Sequence, residues 1–379
     1  MPDSNKKILV YYSDQVAGSS HASVESLFYR ALNDHYHVIV VYYDRQASAT
    51  AWLQERRIVI PYRWRGRWLE ALSLLLPLES VDFVLVRNIF PAYGNALRHR
   101  TRFGFKVCFH YSFPHTYRHY YAEGGQGFAK ARKWLTYRVN HFFQMRLMRR
   151  ADGFLPISER MPGMLGLPGG MPVFPVHSGV DFDLLPPPAD SPLTDPVRRF
   201  LYIGTMDALR RMEVVLQAFD RLESPDWRLD IYTAQEAFTR RLISHTMPNR
   251  SSQVTVFPAL PRAELYDRMR TCHIALCLIP PTPLYQVSSP LKLMEYYAMG
   301  LPVVMSRLPE CLNLFEHAGC GWFADFHPNP IHAALEQALN TPLHQTHQMG
   351  QMGRAIVFQH RNYAGMAARL ADFLSKLTT

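Results

Sequence analysis

Hydrophobic and polar positions along this chain fall in blocks: short apolar runs rich in Val, Ile, Tyr and Phe recur at intervals that leave room for a helix between them. Lys6–Tyr12 reads as a first buried strand, followed by a loop around Gly18, a helix to about His35 and a second buried strand over His37–Tyr43. Arg57–Pro61, Phe83–Val86, Lys106–His110 and Gly153–Pro156 repeat the signal. Repetition of strand and helix predicts an α/β, doubly wound sheet whose ligands sit at the carboxyl ends of the strands. The first loop has one glycine where a dinucleotide fingerprint needs three, so it is not read as an NAD site. Between Pro172 and Asp195 the composition turns Pro-rich, with Pro186–Pro188 and Pro192, and predicts a linker. A second alternation follows, with strands expected at Arg199–Ile203, Arg228–Tyr232, Gln253–Phe257, Ile274–Leu278 and Leu301–Met305, and a turn at Gly204 leading to a helix over Met212–Leu222. The expected architecture is two Rossmann-like domains, residues 1–180 and 181–359, with a cleft between them. An amphipathic helix over Tyr363–Leu377, with Met366, Leu370, Phe373 and Leu374 on one face, ends the chain.

Within the second half, Ser288–Val304 (S-S-P-L-K-L-M-E-Y-Y-A-M-G-L-P-V-V) concentrates the candidate chemistry. Ser288 and Ser289 offer helix caps and Pro290 suits the first turn, so a helix is expected from here through Leu291 to Gly300. Its first-turn N–H groups and positive dipole end form a seat for phosphate, to which Lys292 adds charge. Glu295, one turn further on, is placed to accept hydrogen bonds from sugar hydroxyls. The pattern suggests a nucleoside diphosphate with its ribose; read blandly, the same residues make an ordinary capped surface helix.

The net charge of +10 matters for its distribution. From Arg98 to Arg150 twelve lysines and arginines face a single acid, Glu123, which asks for an anionic partner. No nucleic-acid-binding signature accompanies them, so nucleic acid is excluded. Anionic lipid headgroups fit better, because Tyr120, Tyr121, Trp134, Tyr137, Phe142 and Phe143 are interleaved with the charges. On a helical wheel Phe128, Leu135, Val139 and Phe142 share a face into which Arg132 and Arg146 fall, so a core-packed helix with a solvated basic side stands beside the lipid reading. No apolar run approaches the roughly 18 residues of a spanning helix, and the amino terminus goes directly into a strand, which places the protein in the cytoplasm, peripheral to the inner face of the membrane at most. Cys108, Cys272, Cys277, Cys311 and Cys320 form no CxxC pair and read as reduced core filler. His110, His115 and His119 lack a metal-binding motif, so no metal is expected.

These segments together resemble the GT-B glycosyltransferases, in particular the large retaining group classed as family four. Ser289–Val304 looks like that group's donor-site signature, with Glu295 matching the second glutamate of its E-x7-E motif. Phe200–Phe219 resembles its strand, glycine turn and helix, Arg150–Met161 its "ADxxxxxS" segment, Pro175–Asp181 its "NGVD" crossing, and Val256–Leu265 the loop beside the nucleotide base. The resemblance implies a GT-B fold whose C-terminal segment, residues 360–379, crosses back to the first domain. It implies transfer from a UDP- or GDP-linked sugar without metal or other cofactor, with Arg210 and Lys292 stabilising the leaving diphosphate. It places Gly204, Thr205, Arg210, Ser288, Ser289, Pro290, Leu291, Lys292 and Glu295 at the donor. Gly18, Ser19, His21, His110 and Tyr111 fall on the acceptor side, with His110 facing the donor sugar; Asp14 and His21 are alternative bases. The acceptor it suggests is a glycan or lipid-linked sugar of cell-surface polysaccharide assembly. Val287 stands where the motif's first glutamate belongs and Thr205 where an arginine is usual. A related inverting group, the bacterial glucuronosyltransferases of exopolysaccharide assembly, also lacks that glutamate, so retention and inversion both stay open. A GT-B sugar-nucleotide epimerase and a catalytically silent glycan- or lipid-binding subunit are the competing functions.

Overall fold

The computed structural model describes residues 6–17, 21–115, 127–187 and 193–378, with side chains from 131 onward in the segment that begins at 127. The chain forms two compact units, Met1–Asp181 with Tyr363–Thr379, and Phe182–Asn362.

In the first unit the strands are β1 (Ile8–Val16), β2 (His37–Asp44), β3 (Ala51–Gln54), β4 (Arg57–Pro61), β5 (Val81–Arg87), β6 (Lys106–Tyr111) and β7 (Gly153–Pro156). They lie in the order β3-β4-β2-β1-β5-β6-β7, parallel except for the antiparallel edge strand β3. Leu9–Tyr12 and Val38–Val41 are buried along continuous runs, as expected of central strands covered on both faces. The order reverses on either side of β1, which opens a crevice at the carboxyl ends of β1 and β5. The expected linker is only partly one. Phe154 donates to the Pro172 carbonyl, and Phe174 and Val176 donate their N–H groups to Phe154 and Pro156, so this stretch extends the edge beside β7. Pro175 falls between the two donors, at the position where a missing N–H costs nothing.

The last helix, Tyr363–Lys376, buries Tyr363, Met366, Ala367, Leu370 and Leu374 and belongs to the first unit. Its Tyr363 N–H donates to Val180, and Phe373 packs on Phe174 with ring centroids 5.5 Å apart.

The second unit holds β8 (Arg198–Ile203), β9 (Trp227–Tyr232), β10 (Val254–Phe257), β11 (Ile274–Cys277), β12 (Val303–Ser306) and β13 (Gly321–Ala324). All are parallel, in the order β10-β9-β8-β11-β12-β13 with the reversal between β8 and β11. Phe200, Phe219 and Trp227 pack ring against ring in its core. A long helix, Leu343–Arg361, lies against the shorter helix Leu291–Ala298. Two glycines permit that approach, since a Cβ at Gly353 would come within 2.0 Å of the Tyr297 ring and one at Gly350 within 1.8 Å of the Gly300 carbonyl. Arg354 on the long helix donates to the Ala298 carbonyl, closing the carboxyl end of the shorter helix with a cation.

Candidate active site

The sequence-predicted donor residues meet at the reversal between β8 and β11. Strand β8 ends at Ile203, whose N–H donates to the buried Tyr296 hydroxyl at 2.8 Å, and the chain then turns at Gly204 with φ of 146°. The Lys292 ammonium lies 3.9 Å from the Tyr202 ring centroid, and a Cβ built at Gly204 would sit 2.7 Å from its Nζ. Glycine is required there by the backbone conformation, and a side chain at this position would also have to displace the lysine tip. Beyond the turn, Gln235 Oε1 accepts from Met206 N–H, and Asp207 accepts from Arg210 N–H through both its carbonyl and its carboxylate. That turn brings the Arg210 guanidinium over Tyr285, 4.7 Å from the ring centroid. Each cation therefore rests on an aromatic face in a half-buried place. Burial, and then the charge of Arg210, lower the Lys292 pKa to about 7, with Cys277 and Glu295 pulling the other way. Two cations that disfavour each other beside a helix amino terminus make a site that an anion stabilises.

The serines do not cap this helix. It spans Leu291–Ala298 with Pro290 at the cap and no side-chain cap bond. Ser288 Oγ donates to the Tyr285 carbonyl, and Ser289 Oγ donates to Glu310, a buried carboxylate also held by Arg361 at 2.8 Å. These bonds fix the passage from the short helix Pro283–Gln286 into this one and leave its first turn without a side-chain cap. Val287 is buried, and Thr205 is exposed with its carbonyl accepting from the Tyr202 hydroxyl. Arg211 precedes the helix that begins at Met212, in a left-handed turn with φ of 49°, and pairs with Glu213.

Glu295 has partners that the sequence did not announce. Arg262 Nε lies 3.0 Å from Oε1, and Tyr266 adds a hydrogen bond. Burial raises the Glu295 pKa, while Arg262 and Tyr266 favour the carboxylate. Arg262 opens its helix directly after the loop that follows β10, so the same loop reaches Glu295 and one wall of a pocket of about 220 Å³. This pocket lies at the ends of β8, β9 and β10, lined by Gly204, Tyr232, Gln235, Ala259 and Leu260 among others. Tyr232 stacks on Phe257 at 4.8 Å and 14°.

In the first unit, the crevice at β1 and β5 holds a polar network. Arg87, 4% exposed, pairs with Asp14 through Nη1 and donates to His21 Nε2 at 3.1 Å. Asn88, with φ of 57°, donates to Asp14 and to Ser112 Oγ, and accepts from the Ser112 N–H. Since arginine can only donate, His21 Nε2 is the acceptor and the proton lies on Nδ1, directed to Ser23 Oγ at 3.1 Å. Asp14 and His21 are thereby engaged, which argues against either as a free base. His110 is fully buried; its Nδ1 lies 2.8 Å from the Tyr11 hydroxyl, and Nε2 has no partner among the described residues. Burial, then Arg87 and His21, hold its pKa well below the ordinary histidine value, so the ring is neutral. Tyr111 is core: its ring packs on Phe109 and Phe90. Gly18, Ser19 and His119 lie outside the described residues. All five cysteines are buried and free.

Residues 197–341 match the family model described as glycosyl transferases group 1. The fold is that of several solved structures. Sucrose-phosphate synthase from Thermosynechococcus elongatus superposes with a TM-score of 0.75 at 14% identity, over 98% of this chain and 99% of that one. A UDP-forming trehalose-phosphate synthase from Burkholderia xenovorans gives 0.67 at 13% identity, over 99% and 100%. HepE of Anabaena, in complex with UDP and glucose, gives 0.67 at 13%, over 98% and 100%. No curated protein sequence matches the chain. Two parallel-sheet units of this topology, one with a glycosyl transferase domain, define a glycosyltransferase of the GT-B fold. Within it, residues 197–341 are the glycosyl transferases group 1 domain.

Proposed function

We propose that this enzyme moves a sugar from a UDP- or GDP-linked donor to a lipid-linked saccharide at an anionic membrane surface, in the assembly of a cell-surface polysaccharide. The observation that carries the donor half is the meeting of Lys292, Arg210 and the first turn of the helix Leu291–Ala298 beside Gly204. When the bond between the anomeric carbon and the diphosphate oxygen breaks, negative charge grows on the diphosphate. Two cations and first-turn N–H groups aimed at that place stabilise it without calling on a metal. The pocket at β8–β10 suits the base, and Glu295, oriented by Arg262 and Tyr266, keeps lone pairs for ribose hydroxyls. That HepE was solved with UDP and glucose supports the donor class. The acceptor half rests on the one-signed band from Arg98 to Arg150 in the first unit.

The test is incubation of the pure protein with a panel of radiolabelled sugar nucleotides, with and without membrane extract. Transfer of label from one donor into a lipid-extractable product is expected. Transfer only to water-soluble acceptors would reject the lipid-linked acceptor, and neither binding nor turnover of any donor would leave a silent binding subunit, the reading that Val287 and Thr205 keep open.

A further inference from the structure

We infer that the helix Gly127–Met148 is the surface by which this protein seats on an anionic bilayer, with Leu135, Val139, Phe142 and Phe143 entering the boundary between headgroups and acyl chains. The inference deepens the membrane half of the proposed function and rests on that reading for the acceptor it would bring near.

At about 100° per residue, Leu135, Val139, Phe142 and Phe143 fall within an arc of roughly 100°. An amphipathic helix of a soluble domain turns such a stripe to the core. Here it faces out: Leu135 is 58%, Val139 46%, Phe142 62% and Phe143 58% exposed. The helix is attached by its other side, through buried Met145 and Met148 and a bond from the Tyr93 hydroxyl to the Leu147 carbonyl. The core-packed alternative for this stripe is thereby overturned. Four large apolar side chains aligned on one exposed helix face form a patch that asks for a partner.

Charge decides which partner. From 131 to 150 the chain carries Arg132, Lys133, Arg138, Arg146, Arg149 and Arg150 and no acid. A second copy of the same face would bring like charges together. A nucleic acid would answer the arginines and leave the apolar stripe in water. An anionic lipid surface answers both, since its phosphates meet the guanidinium groups and its acyl boundary takes the stripe. Arg132 and Arg146, which lie within the apolar arc, have stems long enough to run along it and hold their charge at headgroup level. Trp134, 49% exposed with Arg138 5.8 Å from its ring centroid, adds an amphipathic ring on the same helix, of the kind that suits the interface. Among the described residues no helix is long and apolar enough to cross a membrane, so the attachment inferred is to one face.

The experiment is flotation of the full chain with phosphatidylcholine vesicles and with vesicles that also contain phosphatidylglycerol, at low and high salt, with UDP binding measured on the same preparations. Binding to the anionic vesicles alone, released by salt, is expected. Arg132→Gln with Arg138→Gln should lower partitioning roughly 25-fold, about fivefold per charge. Leu135→Ser with Phe142→Ser should lower it by at least about tenfold while UDP affinity stays unchanged, because both residues are exposed. Failure of the wild-type chain to float with anionic vesicles, or unchanged flotation of the double serine variant, overturns the inference. So does equal binding to soluble polyglutamate, which would assign the face to an acidic polypeptide, or a dimer that the double serine variant dissolves, which would assign it to a second copy. Loss of UDP binding with intact flotation would instead overturn the donor reading and leave this one standing.

Discussion

Replacing Lys292 with methionine while nucleotide binding is followed across pH tests the donor site at its most unusual group. In the free protein, burial and then the Arg210 charge bring the lysine from its ordinary 10.5 to about 7. The unfolded chain holds this proton up to the ordinary value, whereas the native chain releases it near 7. Between those values the unfolded state binds more protons, so this group's contribution to native stability rises with pH, and its penalty is complete below about 7. At 1.36 kcal/mol per tenfold the shift is worth about 5 kcal/mol at most, and solvent screening of a half-buried group brings the penalty to on the order of 2–4 kcal/mol. A diphosphate beside Nζ reverses the sign by favouring the ammonium, so above about pH 7 each binding event takes up a proton. Affinity should then fall by up to about tenfold per pH unit, or about 100-fold between about pH 7.5 and 9.5. Isothermal titration calorimetry with UDP, in buffers of different ionisation heat near pH 8.5, counts the protons; that pH avoids the nucleotide's own terminal phosphate, which titrates at about 6. The wild-type protein should take up close to one proton, and Lys292→Met should bind more weakly at neutral pH with no uptake. Absence of uptake in the wild type, or the same uptake in the methionine variant, refutes the assignment of Lys292 to the diphosphate.

Three further outcomes follow from the same geometry. Gly204→Ala places a methyl 2.7 Å from Lys292 Nζ on a backbone with φ of 146°, so it should cost about 1–3 kcal/mol of stability by thermal melting and weaken UDP more than tenfold; a variant with normal affinity would show that the turn does not bear on the donor. Glu295→Ala should weaken nucleotide binding by roughly 1.5–3 kcal/mol, the range for a charge-assisted hydrogen bond, and unchanged calorimetric affinity would remove Glu295 from the ribose. His110 is held well below its ordinary value, so turnover should show no histidine ionisation above about pH 6.5; an inflection there that vanishes in His110→Gln would contradict a neutral ring.

Much of the fold was legible because parallel strands buried on both faces write themselves as apolar runs: Leu9–Tyr12, Val38–Val41 and Phe200–Tyr202 are all core. Strand β3 was not, because an edge strand with all four residues exposed has no buried face to pattern it. The helix Leu343–Arg361 was missed for a related reason: its Gln- and His-rich sequence carries little apolar periodicity, and what holds it is the absence of side chains at Gly350 and Gly353. At the site, the charged members could be named in advance, whereas their supports could not. Tyr202 and Tyr285 look like strand and helix filler until the turn at Gly204 lays the cations across them. Ser289 advertises a cap by its position, yet a hydroxyl goes to the strongest acceptor in reach, and Glu310, buried and already shared with Arg361, is 21 residues away in sequence. Arg87 and Asn88 did leave a signal, polar residues directly ending the apolar run of β5, but only the reversal of strand order beside β1 brings Asp14 and His21 to meet them. Local pattern specifies which segments become strands and helices, and the chemistry depends on which strand ends the topology makes neighbours.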